Sequence, residues 1–252
     1  MSYGEKMSNY TVLSPAAHKN TRIVTERGEA LGDDIQYSLT YPLEFRNIQS
    51  CYPIFFSKNA ETGEFLPIAL FGFEKNENLF LDDSGWDATY IPMMVEREPF
   101  LIGYQGASED ELKPIVSIDM DSPKISEEKG QLLFDNDSQP TDFLKSVMSR
   151  LESLHQGHEH NKGFIAALTE AELIEPFTLE ITLDNGSTHK LMGFYTINEE
   201  KLHELEGSTL EDFNKKGFLQ PIYMAVASYA RIRALIDKKN ALENAKKVAD
   251  YL

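Results

Sequence analysis

From Phe177 to Leu183 the chain reads Phe-Thr-Leu-Glu-Ile-Thr-Leu, apolar and polar residues in unbroken alternation. Side chains of an extended strand point to opposite faces with a period of two, so this run buries one face and wets the other. Asp184-Asn-Gly-Ser187 follows as a tight reversal, and Lys190 to Ile197 resumes strand character. The segment predicts a β-hairpin late in the chain. Because helical patterns flank it on both sides, the fold has to be mixed.

Residues 35 to 120 read as a succession of short strands: Pro53 to Phe56, Leu66 to Phe73, Asn78 to Leu81, Tyr90 to Met94, Phe100 to Tyr104 and Ile115 to Ile118. Gly, Pro, Asn and Asp separate these apolar runs, as turns between strands require. Glu61-Thr-Gly63 joins two of them as a hairpin turn would, and Asp82-Asp-Ser-Gly85 is turn-like. Asp121 to Pro140 is polar and rich in breakers around one short strand, Gln131 to Phe134.

A helix is predicted from Thr141, where Phe143, Leu144, Val147, Met148, Leu151 and Leu154 share one face. Gly157 and Asn161 predict fraying at its end. A second helix is expected over Thr169 to Leu173, stopping before Pro176. Asn198 caps a helix from Glu199 to Leu205, Ser208-Thr-Leu-Glu211 fits a capping box, and Gly217 is placed to end that helix. From Leu219 or Pro221 to Leu252 the pattern is one long helix or two consecutive ones. Its stripe is Ile232, Leu235, Leu242, Ala245, Ala249 and Leu252, interrupted by Lys238 and Lys239. The predicted class is α+β: an antiparallel β-rich N-terminal half, a late β-hairpin and a mainly helical C-terminal half. A single domain over residues 1–252 is expected, β-rich at about 20–135 and helix-rich at about 140–252.

Hydrophobic content of 41% and charged content of 26% are those of an ordinary globular protein. No apolar run approaches the roughly 20 residues needed to cross a bilayer. The amino terminus has no apolar core of a Sec-type signal peptide, and a single cysteine, Cys51, agrees with a reducing compartment; a cytoplasmic location is expected. Ile48, Tyr52, Ile54 and Phe55 around Cys51 predict a small core hydrophobe. Met1 and Met7 are both candidate starts. A formal charge of −17 argues against nucleic-acid binding by the body. The carboxyl end differs: Ala230 to Leu252 holds six Lys or Arg and three Asp or Glu, 6 − 3 = +3, leaving −20 for the remainder. Such a helix can dock on its own body, on a second subunit or on an acidic partner, or simply present a solvated face.

His155-Gln-Gly-His158-Glu-His160 places three imidazoles in six residues. On a helix His155 and His158 share a face and can hold one metal, so the three are a candidate metal site. The alternative is a polar helix terminus, and the spacing matches neither the zinc-protease nor the cupin pattern. Asp135-Asn-Asp137-Ser-Gln139 begins like a calcium loop, but Pro140 stands where the bending glycine belongs; an acidic turn into the helix is expected, with Thr141 or Ser138 near the cap. Asp119 and Asp121 read as a strand end entering a turn. Nucleophile-elbow, phosphate-loop and dinucleotide patterns are absent from the sequence. Trp86, Tyr90, Tyr104, Phe80 and Phe100 can line a groove or fill a core, and Arg97 between Glu96 and Glu98 predicts local pairing.

Several short motifs recur together in order: Tyr41-Pro-Leu-Glu-Phe45, Tyr52-Pro-Ile-Phe55, Pro67-Ile-Ala-Leu-Phe-Gly72, Asn78-Leu-Phe80, Trp86 with Tyr90-Ile-Pro92, and Arg97-Glu-Pro-Phe100. With Ile118-Asp119, Leu133-Phe-Asp135, Gly193-Phe-Tyr195 and Ile222-Tyr223, they make the chain resemble the SapC family of bacterial proteins from about His18 to Leu235. The resemblance implies an association with bacterial surface layers. It also implies partners among halogenase-like, cupin-like or TonB-dependent receptor proteins. It brings no catalytic residues and no cofactor. The expected function is therefore a soluble, non-enzymatic accessory protein that binds proteins or peptides, with a homo-oligomer among the expected assemblies, in a surface-layer, export or envelope-protein modification system. Its expected contact surface is Trp86, Tyr90, Arg97 and Phe100, or the basic terminal helix. The alternatives are a metal-dependent or protein-modifying enzyme subunit using His155, His158 and His160, and a small-ligand binding module with an aromatic groove.

Overall fold

The computed structural model describes residues 9–105 and 113–250. In chain order the first segment forms β1 (Tyr10–Val12), α1 (Pro15–His18), β2 (Arg22–Ile23), β3 (Tyr37–Leu39), α2 (Phe45–Cys51), β4 (Ile54–Lys58), β5 (Phe65–Leu70), β6 (Leu81–Asp82) and β7 (Gly85–Trp86). Then come α3 (Met93–Glu96), β8 (Phe100–Gln105), β9 (Lys113–Asp119), β10 (Ile125–Ser126), β11 (Gln131–Leu132) and α4 (Asp142–Glu170). The last third holds β12 (Ile174–Thr182), β13 (Thr188–Ile197), α5 (Glu199–His203), α6 (Gly207–Lys215), α7 (Leu219–Ser228) and α8 (Arg231–Asp250). The class is α+β, with antiparallel sheets concentrated in the first half and helices mainly in the second. No helix among the described residues is long and apolar enough to cross a membrane. Met1, Met7 and Leu252 lie outside the described residues.

The chain divides into two compact units interleaved in sequence: residues 1–33 with 93–156, and residues 34–92 with 157–252. In the first unit β9 is paired antiparallel with both β1 and β8, and β2 lies between β10 and β11. Its core gathers Ile23, Phe100, Ile118, Leu133 and Phe134 with Leu144, Val147 and Leu151 from the apolar stripe of α4. The stripe works because residues three and four apart stack on one helix face. Thr141 opens α4 by accepting the Leu144 N–H at 3.3 Å, and Asp135 Oδ1 accepts the Asp137 and Gln139 N–H groups at 2.9 and 2.8 Å. The acidic turn expected there is built in this way.

The second unit is organised on a five-stranded antiparallel sheet in the order β12-β13-β4-β5-β3. The alternating hairpin lies where the pattern puts it, Ile174 opposite Ile197 and Thr182 opposite Thr188, with a bulge between Phe177 and Leu179. Phe55 of β4 stacks between Phe177 and Tyr229, centroids 4.9 and 5.6 Å away. Each such ring pair adds about 0.5–1.5 kcal/mol beyond area burial. Ser228 ties α7 to this sheet, its hydroxyl accepting the Ile54 N–H at 2.8 Å and donating to the Ala225 carbonyl at 2.5 Å.

Four expectations are corrected. The helix starting at Thr141 does not fray at Gly157; α4 is continuous to Glu170, so Thr169 closes it and Pro176 lies inside β12. The physical reason is packing. A Cβ on Gly157 would come within 2.2 Å of Leu43 Cδ2 and 3.3 Å of Tyr41 Cβ, so the glycine marks a close helix contact and not a break. Tyr90 to Met94 is not a strand, because the backbone turns into α3 at Met93. Helix α6 begins at Gly207, one residue before the proposed Ser208 cap, with Glu206 at its N-cap and no side-chain capping bond. Finally, Cys51 is half-buried and not a core residue: its Sγ is 3.2 Å from Thr89 Oγ1.

Candidate functional site

The motifs around Trp86 assemble one polar network in the second unit. Tyr52 follows α2, and its ring packs edge-on against Phe71 and Phe80, centroids 5.1 and 4.7 Å away. Its hydroxyl donates to the Tyr90 carbonyl at 2.5 Å and accepts from Trp86 Nε1 at 2.8 Å. The Tyr90 hydroxyl donates to Glu44 Oε2 at 2.8 Å, and the Thr40 hydroxyl donates to Glu44 Oε1 at 2.7 Å. Glu44 is 2% exposed, so its burial is tolerable because both oxygens accept bonds. Burial pushes the Tyr52 phenol well above its ordinary value, which keeps it a donor. These groups are occupied with one another. They fasten the Tyr41–Phe45 segment and the loop around Trp86 and Tyr90 into one piece.

Of the four residues expected as a contact surface, Trp86 and Tyr90 belong to the second unit and are half-buried. Arg97 and Phe100 belong to the first. Phe100 is a correction: at 1% exposure it is a core residue, because β8 turns its ring inward beside Ile118 and Leu144. Arg97 is half-buried and pairs locally, donating to the Phe100 carbonyl at 2.7 Å and bridging Glu98 at 3.2 Å. A buried ion pair, Lys124 to Asp33 at 2.9 Å, lies in the same unit. Desolvation lowers the Lys124 pKa, opposed by its bond to Asp33.

The histidines do not converge. Continuity of α4 rotates His155 and His160 about 140° apart around the helix axis. His155 lies 3.4 Å from the Tyr104 hydroxyl, whereas His158 leans on the Tyr41 ring and His160 on the Phe218 ring, with centroids 6.0 and 5.5 Å away. Among the described residues no group of three His, Cys, Asp or Glu side chains is placed to hold a metal ion. Asp121 N–H donates to Asp119 Oδ1 at 3.1 Å, which makes that pair the turn it resembled.

Helix α8 offers a different arrangement. Leu235 is 1% exposed, and Lys239 is enclosed with Glu77 at 2.5 Å, Glu74 at 3.5 Å and Glu243 at 3.6 Å. Lys238 bridges Asp87 at 2.6 Å, and Asn240 Oδ1 accepts the Asp184 N–H at 2.9 Å. The two lysines that interrupt the apolar stripe are thus the anchors of the helix. Past them the stripe continues uncovered, with Leu242 39% and Val248 61% exposed and Ala241 and Ala245 also open. Lys246 and Lys247 flank it.

Searches of curated proteins and of solved structures found no match to this chain. The sequence pattern of the SapC family, in contrast, matches residues 13–235. That span takes in the Glu44–Tyr90 network and the hairpin, and it ends at Leu235, before the Lys238 and Lys239 anchors of α8. The chain therefore belongs to the SapC family.

Proposed function

We propose that the chain is a non-enzymatic accessory protein that binds another protein through the distal half of α8, working from the cytoplasm with a surface-layer, export or envelope-protein modification system. The observation that carries this reading is the uncovered stripe of Leu242, Ala245 and Val248 on a rigidly anchored helix. Amphipathic helices of this kind lay their apolar face into a groove, and Ala241, Ala245 and Val248 fall at i, i+4 and i+7 with Leu242 beside them. The basic flank, with Lys246 and Lys247, favours an acidic groove and steers encounter. Halogenase-like, cupin-like and TonB-dependent receptor proteins are the partner classes proposed first.

The test is affinity capture from the native host with the full chain, side by side with a Leu242→Glu Val248→Glu variant. A partner retained by the parent chain and lost from the variant, while both unfold at the same temperature, supports the proposal. Equal retention by both would remove α8 from it.

A further inference from the structure

A cleft of about 660 Å³ opens in the second unit between α4 and the β4–β5 hairpin. His158, Asn161, Lys162, Ile165 and Thr169 line it from one face of α4, at helical spacings of three and four. Phe65 and Leu66 of β5 line the opposite side. Lys58, Glu64 and Glu170 also line it, but most of its surface is apolar, and a largely apolar pocket of this size with placed polar groups is the usual make-up of a ligand site. Phe65 is held in place by Tyr195, edge-on at 4.8 Å, and by the Lys58 ammonium 5.2 Å above its ring.

The polar group that matters is Asn161. It is 3% exposed, and among the described residues nothing donates to its buried Oδ1. Buried amide oxygens are nearly always bonded, so an unpartnered one in a cleft wall needs a donor from elsewhere. A half-turn about the Cβ–Cγ bond exchanges Oδ1 and Nδ2, so the group can turn either an acceptor or a pair of donors to the cleft. A backbone N–H or C=O of an extended peptide complements whichever of the two the cleft is offered, while the neighbouring side chain takes the apolar space beside it.

We propose that this cleft binds a short apolar peptide segment, whose side chain fills the space between Phe65 and Ile165 while one of its peptide units is held by the Asn161 amide. This goes beyond the α8 reading and stands without it.

The probe is N-acetyl-Leu-Phe-amide, titrated into the full chain at millimolar concentrations and followed by two-dimensional NMR of the Asn161 side-chain amide and the Ile165 methyl. The expected result is a saturable shift of both signals. Methylating one of the probe's peptide nitrogens should weaken binding about tenfold or more, the loss of one hydrogen bond to a buried partner. Asn161→Leu should weaken it similarly without lowering the unfolding temperature, since an unpartnered polar group is replaced by an apolar one of similar size. Ala166→Trp, on the exposed side of α4, should fill the cleft and abolish the shift with the fold kept. The Leu242→Glu Val248→Glu variant should bind the probe as the parent does. No saturable shift in the parent chain, or undiminished binding by Asn161→Leu, overturns the proposal. Shifts that follow protein concentration and ignore the probe would overturn it too, since the occupant would then be a second copy of the chain.

Discussion

Gly157 shows how one residue can carry two opposed instructions. Its helix propensity favours a break, by about 1 kcal/mol against alanine, while its lack of a side chain admits Tyr41 and Leu43 against the helix. Leu43 is 47% exposed and can swing away, whereas Tyr41 is 6% exposed and cannot. Gly157→Ala should therefore fall within about 1 kcal/mol of the parent in denaturant unfolding, and Gly157→Val should lose about 1–3 kcal/mol. Gly130 is less forgiving: at φ +95° its Cβ would meet the Ile23 carbonyl oxygen at 2.0 Å. Gly130→Ala should cost about 3 kcal/mol, read as a lower urea midpoint at unchanged slope.

Lys239 carries the clearest pH signature. Burial alone pulls its pKa down, but the carboxylates of Glu77, Glu74 and Glu243 outweigh that and leave it raised. A raised folded value means the contribution is complete below the unfolded value of about 10.4 and is lost as pH rises through the folded one. Stability should fall in that alkaline window and fall less in Lys239→Met. At neutral pH the same variant should lose about 2–3 kcal/mol, since half-buried Glu77 keeps the Phe73 and Glu74 N–H bonds but loses its cation, and Lys239→Met Glu77→Gln should recover part of it.

Elements were legible in the sequence in proportion to how local their cause is. The β12–β13 hairpin follows from its alternation and its turn, and both arise within twenty-odd residues. The first half of α4 follows from its stripe in the same way. The continuation to Glu170 was hidden because it depends on Tyr41 and Leu43, more than a hundred positions earlier. The Tyr90 to Met94 run reads as a strand although the chain turns into α3 there, because an apolar run that short does not distinguish a strand from a buried turn of helix. The site was less legible than the fold. Trp86, Tyr52, Tyr90 and Glu44 stood out as motifs, but their hydrogen bonding to one another is a tertiary fact. The Asn161 cleft joins residues about a hundred positions apart and leaves no local spacing at all. One prediction belongs here: Phe55→Ala should destabilise by about 3–5 kcal/mol, because it removes the ring stacked between β12 and α7's end.

The molecule as a whole is two interleaved units, each assembled from two stretches of chain. In the first, residues 9–33 supply β1 and β2, and these strands complete both of its small sheets. A chain lacking residues 9–33 should therefore lose amide-exchange protection at Ile118 and Leu133, whose neighbours in β9 and β11 are left with open edges. The interleaving also bears on synthesis. Growing from its amino end, the polypeptide has everything the first unit needs once Gln156 has emerged. By then Phe55 and its strand β4 have been out far longer, still waiting for β13 to pair with the strand and for Phe177 and Tyr229 to stack on the ring. A ribosome that stalls past residue 156 thus leaves a half-finished product with a greasy, strand-forming stretch in the open, the kind of surface that chaperones and proteases recognise.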